Sequence, residues 1–304
     1  MMPDKPGNAV PGPAAGAWRS PPGGPGSPVS LTARPKLTWN MLGCGREGIQ
    51  TRTDWPPNVT PEWAWDGATG AGIRVCIVDS GVDPEHPLAG PVQGSFAVVK
   101  NSDGQLEVAE IAAGDSCGHG TACASIIRAI APDCEIYSLQ VLNRFTGSGD
   151  TFVTGMQWAI SQGFDVVNLS LSTARPQFAQ VLHSLADDAY FRRSMLVASA
   201  HNMPLESFPW RFASVLSVGS HSEGDPELFF YNPAPPVEFF AHGVDVKVAW
   251  LDGEQTKCSG NSFATPHMTG YCARILSKHP DLTPFQVKTA LYMLARNVVT
   301  ANPG

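Results

Sequence analysis

Short apolar runs alternate along this chain with longer segments that have the composition and spacing of helices. The runs predict buried parallel strands, because a strand covered on both faces is apolar at nearly every position. The predicted strands are residues 73–78, 135–142, 165–171, 194–200 and 215–219. The predicted helices are residues 119–130, 152–162, 177–191 and 262–278, with two others opening at Thr60-Pro61 and Thr283-Pro284.

This alternation predicts the fold class. Strands followed by helices build an α/β domain, with a doubly wound, mostly parallel sheet and helices on both faces. In such sheets ligands bind beyond the carboxyl ends of the strands. Asp79 and Asn202 each follow a predicted strand, so we expect both at that edge. Residues 220–258, rich in Pro, Phe and turn formers, predict irregular surface with short strands.

The first 36 residues differ in composition from the rest of the chain. Nine are Pro and six are Gly, and such a segment cannot bury enough apolar surface to offset its chain entropy. We therefore predict a disordered tail over residues 1–36 and one folded domain over residues 37–304. The tail is interpreted as solvated chain, with a docking arm for a partner as the alternative.

Composition and charge narrow the partners and the compartment. The net charge is -7, from 20 basic and 27 acidic residues, which argues against nucleic acid as a partner. No apolar stretch is long enough to predict a membrane span, and prolines interrupt every candidate signal sequence in the tail. Seven cysteines, an odd number in a chain too long to need disulfides, favour a reducing compartment. We expect a cytoplasmic protein, with its oligomeric state left open.

Three polar segments carry the residue types of nucleophilic catalysis. They contain Asp79 (in Val-Asp-Ser-Gly), His119 (in Gly-His-Gly-Thr) and Ser262 (in Gly-Asn-Ser-Phe-Ala-Thr-Pro-His). A serine hydroxyl becomes a nucleophile when a base, usually His, takes its proton, and a buried carboxylate orients that base. Each segment alone fits a turn, a helix start or a helix cap. Together they favour a hydrolase whose catalytic residues follow the order Asp, His, Ser.

With these segments in this order, the chain resembles the subtilisin-like serine proteases, the subtilase family. The resemblance covers roughly residues 71–296 and implies a subtilisin-like peptidase domain within residues 37–304. By this resemblance Asp79 is the orienting acid, His119 the general base and Ser262 the nucleophile. Asn202 falls where the family has the asparagine of its oxyanion hole, and an amide donor there stabilises the tetrahedral intermediate.

The resemblance also implies where the substrate binds. Two segments match those that pair with an extended peptide by β-strand addition, and their candidate residues are Gly147, Gly149, Ser170, Leu171 and Ser172. Four positions depart from the family pattern: His201 replaces Gly, Asn261 replaces Thr, and Ser172-Thr173 replace Gly-Gly. We interpret the substrate-binding candidates His201 and Asn261 as signs of a smaller or more polar specificity pocket. The alternative is family drift with a repacked rim.

No cofactor and no metal are expected. Cys117, His119, Cys123 and Cys134 lie close in sequence, but their spacing matches no standard zinc pattern, and zinc would occupy the catalytic base. Cys123 instead resembles the free cysteine of proteinase-K-like subtilases. The loop that interrupts the histidine helix in calcium-binding relatives has no counterpart here, and Leu88 stands where they have an acidic ligand, so we expect no calcium at that site.

The sequence thus predicts a serine endopeptidase that hydrolyses extended peptide segments through an Asp-His-Ser triad. A narrower hypothesis is that it trims a precursor peptide in the cytoplasm, because the 78 residues before Asp79 leave no room for a folded propeptide beside the tail. The alternative function is a catalytically weakened subtilase that acts as a peptide-binding or scaffold module, suggested by His201 and Asn261 beside the oxyanion site. The cleavage motif and the physiological substrate are left open.

Overall fold

The structure is a computed structural model that describes residues 55–299. From Pro56 onward the chain clusters into one compact unit. The predicted tail over residues 1–36 and the boundary that follows it lie outside the described residues, so both stay predictions.

The helices and strands alternate much as the apolar pattern predicts. In chain order they are α1 (Pro61–Ala64), β1 (Arg74–Asp79), β2 (Gly81–Val82), β3 (Gly94–Lys100), β4 (Leu106–Glu110), β5 (Gly114–Asp115), α2 (His119–Ile130), β6 (Glu135–Gln140), α3 (Gly149–Ser161), β7 (Val166–Leu169), α4 (Ala179–Phe191), β8 (Met195–Ser199), β9 (Leu216–His221), β10 (Phe229–Tyr231), β11 (Phe239–His242), β12 (Val246–Ala249), β13 (Gln255–Cys258), α5 (Asn261–Lys278) and α6 (Pro284–Leu294). Two short 3₁₀ turns, at Pro176–Phe178 and Leu251–Gly253, complete the described elements.

The main sheet of the described residues has nine strands in the order β10-β11-β9-β8-β7-β1-β6-β3-β4. All neighbours from β11 to β3 run parallel, whereas β10 and β4 pair antiparallel at the two edges. Helices cover both faces. Val167 and Leu169 of β7 join the core under α3 and α4, while Asn168 between them accepts a hydrogen bond from Thr269 of α5 at 2.9 Å. The prediction of a doubly wound, mostly parallel α/β fold is confirmed.

Strand β1 is the point where the winding of the sheet reverses. It pairs with β6 on one side and with β7 on the other, so the chain crosses over β1 when it passes from β6 through α3 to β7. Crevices form beyond the carboxyl ends of strands at such switch points. Asp79, the last residue of β1, therefore lies at the floor of a crevice.

Helices α2 and α5 cross closely on one face of the sheet. A Cβ atom at Gly270 of α5 would lie 2.8 Å from the Cβ of Ile130 in α2, so the small residue is what allows this approach. His119 opens α2, and Ser262 is the second residue of α5. This packing brings the amino-terminal ends of both helices to the crevice.

The structure differs from the sequence prediction in several elements, including a hairpin and the end of one central strand. The hairpin β3–β4 was not predicted, because its half-exposed strands mix charged and apolar residues and lack the continuous apolar run of the central strands. The strand predicted over residues 165–171 ends at Leu169, and the residues that follow leave the sheet to line the crevice. Among the described residues, every helix is too short or too polar to cross a membrane.

Candidate active site

An aspartate–histidine pair connects β1 to α2. The Nδ1–H of His119 donates to the two carboxylate oxygens of Asp79 at 2.8 and 2.9 Å, and this tautomer follows because a carboxylate only accepts. Asp79 is fully buried and also accepts a hydrogen bond from the backbone N–H of Ser80 at 2.8 Å. Gly120 permits the approach of α2, since a Cβ there would lie 1.9 Å from the carbonyl oxygen of Gly81. The imidazole therefore keeps Nε2 as its basic nitrogen.

A second carboxylate, Asp115, fixes the start of α2 beside this pair. Its Oδ2 accepts from the backbone N–H and the hydroxyl of Thr121 at 2.8 and 2.6 Å. Its Oδ1 accepts from the Ser80 hydroxyl at 2.7 Å and from the Cys117 N–H at 3.0 Å. The Ser80 hydroxyl in turn accepts from the Gly120 N–H at 3.1 Å. The turn after β1 and the first turn of α2 are thereby held together.

The two carboxylates control the basicity of His119. Burial lowers the pKa of His119, but the charge of Asp79, its hydrogen bond to the ring and the charge of Asp115 together outweigh burial and raise the pKa above its ordinary value. A raised pKa makes Nε2 a stronger base once it is deprotonated. It also moves the protonation of His119 to higher pH.

Replacement of Asp115 by Asn is expected to move the acid limb of the activity profile to lower pH. The general base predicted at His119 must be neutral to accept a proton, so kcat/KM is expected to fall as the pH drops through its pKa. Loss of the Asp115 charge lowers that pKa, and the neutral form then persists to lower pH. The measurement is kcat/KM on one peptide between about pH 5 and 9.

Asp133→Asn is the control for this profile, because Asp133 is an exposed carboxylate beyond the far end of α2. The acid limb of the kcat/KM profile of Asp133→Asn should coincide with that of the unmodified chain. An Asp115→Asn protein that stays folded and keeps the original limb would contradict the role assigned to the Asp115 charge.

Ser262 lies in the same crevice as His119. Both residues line one cleft of about 380 Å³, and the Ser262 side chain is largely buried. The Ser262 carbonyl accepts a hydrogen bond from the Ser170 hydroxyl at 2.9 Å, which ties α5 to the end of β7. Among residues 55–299, no hydrogen bond joins the Ser262 hydroxyl to the imidazole. Catalytic hydrogen bonds in unliganded sites are often long and tighten when substrate binds.

Two hydrogen-bond donors lie beside Ser262. The Oδ1 of Asn202 accepts from the backbone N–H of Asn261 at 2.8 Å, which leaves its Nδ2 as a donor on the lining of the cleft. The backbone N–H of Ser262 belongs to the first turn of α5, where the helix offers no acceptor and its dipole favours negative charge. Neither donor has an acceptor within the described part of the chain. They can therefore serve a developing oxyanion.

The Asn261 side chain lies behind this site and not on the cleft. Its Oδ1 accepts from the backbone N–H and the hydroxyl of Ser220 at 2.9 and 2.8 Å. Its Nδ2 donates to the carbonyl oxygens of Ala200 and His201, both at 3.2 Å. Asn261 was predicted as a substrate-binding residue, whereas the structure makes its amide a clamp that joins β9, the end of β8 and the start of α5.

The other predicted substrate-binding residues all line the cleft. These are Gly147, Gly149, Ser170, Leu171, Ser172 and His201. The Ser170 hydroxyl is used internally: besides Ser262, it contacts the Nδ2 of Asn168 at 3.0 Å. The Ser172 hydroxyl lies 3.0 Å from the hydroxyl of Ser207. The lining residues that the sequence did not single out include Phe152 on α3 and Arg175.

His201 lies beside Asn202 with one ring nitrogen occupied. Its Nδ1 lies 3.0 Å from the backbone nitrogen of Met203 and 3.3 Å from the Met203 carbonyl oxygen. In the shorter contact Nδ1 accepts from the N–H, which leaves the proton of the neutral ring on Nε2. The ring is half-buried and lines the cleft. His201, which stands where the family pattern has Gly, therefore adds a polar side chain to the cleft lining.

Cys123 is buried next to the pair of Asp79 and His119. Its Sγ lies 3.4 Å from the Ser170 hydroxyl and 4.0 Å from the Oδ2 of Asp79. Burial raises the pKa of this thiol well above its ordinary value, so it stays protonated. The candidate zinc ligands Cys117 and Cys134 do not join it. Within the described residues, the one group of potential metal ligands is Asp79, His119 and Cys123, with ligand atoms within 4.8 Å of one another.

Helix α2 runs without interruption from His119 to Ile130, as the prediction of a missing calcium loop requires. Leu88 lies on the surface. The expected absence of calcium, like that of zinc and of any cofactor, stays a prediction.

Comparisons with known proteins agree on one family. The model of the subtilase family matches residues 70–303. The minor extracellular protease Epr of Bacillus subtilis (strain 168) is 29% identical over 279 residues, which are 86% of this chain and 41% of the relative. Subtilisin E of the same strain is 30% identical over 242 residues, 74% of this chain and 61% of the relative. The chain thus spans about two to three fifths of the length of these two relatives.

Two further comparisons cover a larger share of the matched protein. Subtilisin DY of Bacillus licheniformis is 31% identical over 249 residues, which are 76% of this chain and 86% of the relative. The crystal structure of a cold adapted subtilisin-like serine proteinase superposes with a TM-score of 0.61 at 27% identity, over 74% of this chain and 82% of that chain.

Proposed function

The chain belongs to the subtilase family, and from that premise we propose that it is a serine endopeptidase with Asp79, His119 and Ser262 as its triad. The observation that carries the proposal is the hydrogen-bonded pair of Asp79 and His119, at 2.8 Å, in the cleft that also contains Ser262. The pair fixes the tautomer that a general base for Ser262 needs.

Each residue has one role in the proposed reaction. His119 Nε2 takes the proton of the Ser262 hydroxyl as its oxygen attacks the scissile carbonyl. The Nδ2 of Asn202 and the N–H of Ser262 donate to the oxyanion that forms. The imidazolium, stabilised by Asp79, then protonates the leaving amine. Water, activated by the same imidazole, hydrolyses the acyl-enzyme and restores Ser262.

The proposed substrate is an extended peptide segment bound by β-strand addition. Leu171 and Ser172 follow the end of β7, and Gly147 lines the same cleft. In the described part of the chain, the backbone groups of these three residues have no hydrogen-bond partner. They are therefore available to pair with the backbone of a peptide in the cleft.

A fluorophosphonate probe tests this function, because it labels only an activated serine. Labelling of the unmodified chain, loss of labelling in Ser262→Ala and cleavage within a peptide library are the expected results. The second candidate function is a peptide-binding module with weak or no catalysis, favoured by the missing hydrogen bond between Ser262 and His119. Peptide binding without labelling of Ser262 would support this second function.

We also propose that the enzyme acts in the cytoplasm, where it trims a precursor peptide. Neither nucleic acid nor a membrane is proposed as a partner. The support is that the six cysteines of the described residues are all free, which suits a reducing compartment. The printed name of one relative describes an extracellular protease, so the compartment needs a direct test. Activity confined to the cytoplasmic fraction is expected, and activity confined to the medium would contradict this part of the proposal.

Replacement of His201 by Gly is expected to widen the specificity pocket. The imidazole beside Asn202 should make the unmodified enzyme prefer small or acidic residues before the scissile bond, where its Nε2–H can donate to a carboxylate. Its removal should improve kcat/KM for a large apolar residue by about tenfold relative to a small one. Profiling against a peptide library measures the change.

His183→Ala is the control for the His201 profile, because this exposed histidine lies on α4 and lines no part of the cleft. Its profile should equal that of the unmodified enzyme. If the unmodified enzyme and His201→Gly share the same preference for large apolar residues, the assigned role of His201 is wrong.

A further inference from the structure

The charge of the cleft lining is opposite in sign to that of the chain. The chain has 27 acidic and 20 basic residues. Among residues 55–299, the cleft lining includes no Asp or Glu, and Arg175 is its one residue of fixed charge. A peptide that binds in the cleft therefore meets a cation and no carboxylate on the lining.

Two carboxylates close in sequence to the lining, those of Asp150 and Glu206, do not cancel this cation. Asp150 follows the lining residue Gly149 but lies in the first turn of α3, where the helix dipole favours an acid. Glu206 is paired with Arg211. Neither acid forms an ion pair with Arg175.

The Arg175 side chain is available to a ligand. It is exposed, and within residues 55–299 its guanidinium forms no hydrogen bond, ion pair or ring contact. Its backbone, in contrast, is held in place. The Arg175 N–H donates to the Thr173 hydroxyl at 3.3 Å, and Pro176 opens a 3₁₀ turn directly after it.

The segment around Arg175 is fastened on both sides by contacts with the rest of the domain. Thr173 exchanges two backbone hydrogen bonds with Phe208, both of 2.9 Å. The Phe178 ring packs so closely on Gly149 that a Cβ there would lie 2.0 Å from it. A fixed backbone that carries an unpaired guanidinium is suited to recognise one group at one place in a bound peptide.

Arg175 lies along the path of the substrate. The segment that pairs with the peptide starts at Ser170, which contacts Ser262, and Arg175 follows five residues later. Because a chain advances at most about 3.3 Å per residue, this spacing keeps Arg175 within roughly five substrate positions of the scissile bond.

From these observations we propose that the enzyme selects acidic peptide segments, and that Arg175 binds a carboxylate of the substrate near the scissile bond. The inference rests on the proposed function and adds the substrate class to it. A guanidinium can bind a carboxylate through two parallel hydrogen bonds. Because Arg175 is exposed, the contact should have the strength of a good surface ion pair, which corresponds to about a fivefold preference for Glu over Gln.

The test is a set of peptides that carry Glu, Gln or Lys at one position at a time, from five residues before to two residues after the scissile bond. The proteins compared are the unmodified enzyme, Arg175→Gln and Arg296→Gln. Arg296 is the matched control, because it is an exposed arginine after α6, remote from the cleft lining. The readout is kcat/KM for each peptide at low salt and at about 0.5 M salt.

We expect a roughly fivefold preference for Glu over Gln at one position, with Lys poorer than Gln. The preference should vanish in Arg175→Gln, persist in Arg296→Gln and weaken at high salt, because mobile ions screen exposed charges. Equal rates for Glu and Gln at every position would overturn the inference. So would a preference that survives in Arg175→Gln.

Binding of the same peptides to Ser262→Ala separates this inference from the proposed function, because binding needs no turnover. If the unmodified chain hydrolyses no peptide while Ser262→Ala prefers Glu over Gln, the endopeptidase proposal fails and the role of Arg175 is supported. If peptides are cleaved and neither rate nor affinity depends on their charge, the endopeptidase proposal stands and the role of Arg175 is wrong.

Discussion

Replacement of Ser262 by Ala is expected to lower kcat by about 10⁶-fold, a magnitude known from subtilisin of the same family and adopted for this chain. The hydroxyl is the only group proposed to form a bond with the scissile carbonyl. His119→Ala should cost about as much, because the hydroxyl without its base is a poor nucleophile. The double variant should be no worse than either single one, since the residues act as a unit.

Single-turnover and steady-state rates on one fluorogenic peptide measure this loss. Ser184→Ala, in an exposed serine on α4, is the control and should keep full activity. Circular dichroism of Ser262→Ala should match that of the parent, because the hydroxyl forms no hydrogen bond within the described residues. Substantial turnover by Ser262→Ala would exclude this serine as the nucleophile.

Replacement of Asn202 by Ala is expected to lower kcat by about 10²- to 10³-fold and to leave KM nearly unchanged, a range also known from subtilisin. The Nδ2 donor gains strength only when the carbonyl oxygen becomes negative, so its loss affects the transition state more than the bound substrate. The anchor of its Oδ1 to the Asn261 N–H, at 2.8 Å, holds that donor in place before the reaction.

The measurement is the separation of kcat and KM on the same peptide. Asn58→Ala, in an exposed asparagine outside the cleft, provides the control. A rise in KM at constant kcat would mean that Asn202 binds the ground state of the substrate and does not belong to the oxyanion hole.

The sequence predicted the elements that carry Asp79 and His119 well, because their signals are local. Asp79 ends a short apolar run, and the helix predicted over residues 119–130 has those bounds in the structure. Helix α6 opens at Pro284 with Thr283 as its cap, which its sequence indicates directly. Such features depend on residues within one or two turns of each other.

The features that the sequence missed depend on distant contacts. Nothing near Asn261 indicates that its amide would bond Ser220, Ala200 and His201, which lie 41 to 61 residues away. Arg175 lies on the cleft lining, and the segment that follows it packs on Gly149 through the Phe178 ring. This contact joins residues 29 positions apart, so it has no local sequence signal. The hairpin β3–β4 is stabilised by pairing with β6 at the sheet edge, a contact that has no local sequence pattern.

The amide clamp of Asn261 has a consequence for the order in which the protein becomes active. The clamp joins three elements that are far apart along the chain, and contacts of such sequence separation form late in folding, after loop-closure entropy has been overcome. Until β8, β9 and α5 have docked, the Asn202 donor has no anchor, and the serine has no organised oxyanion site. An incompletely folded molecule would therefore lack proteolytic power at the stage when neighbouring, still unfolded copies are most easily cut.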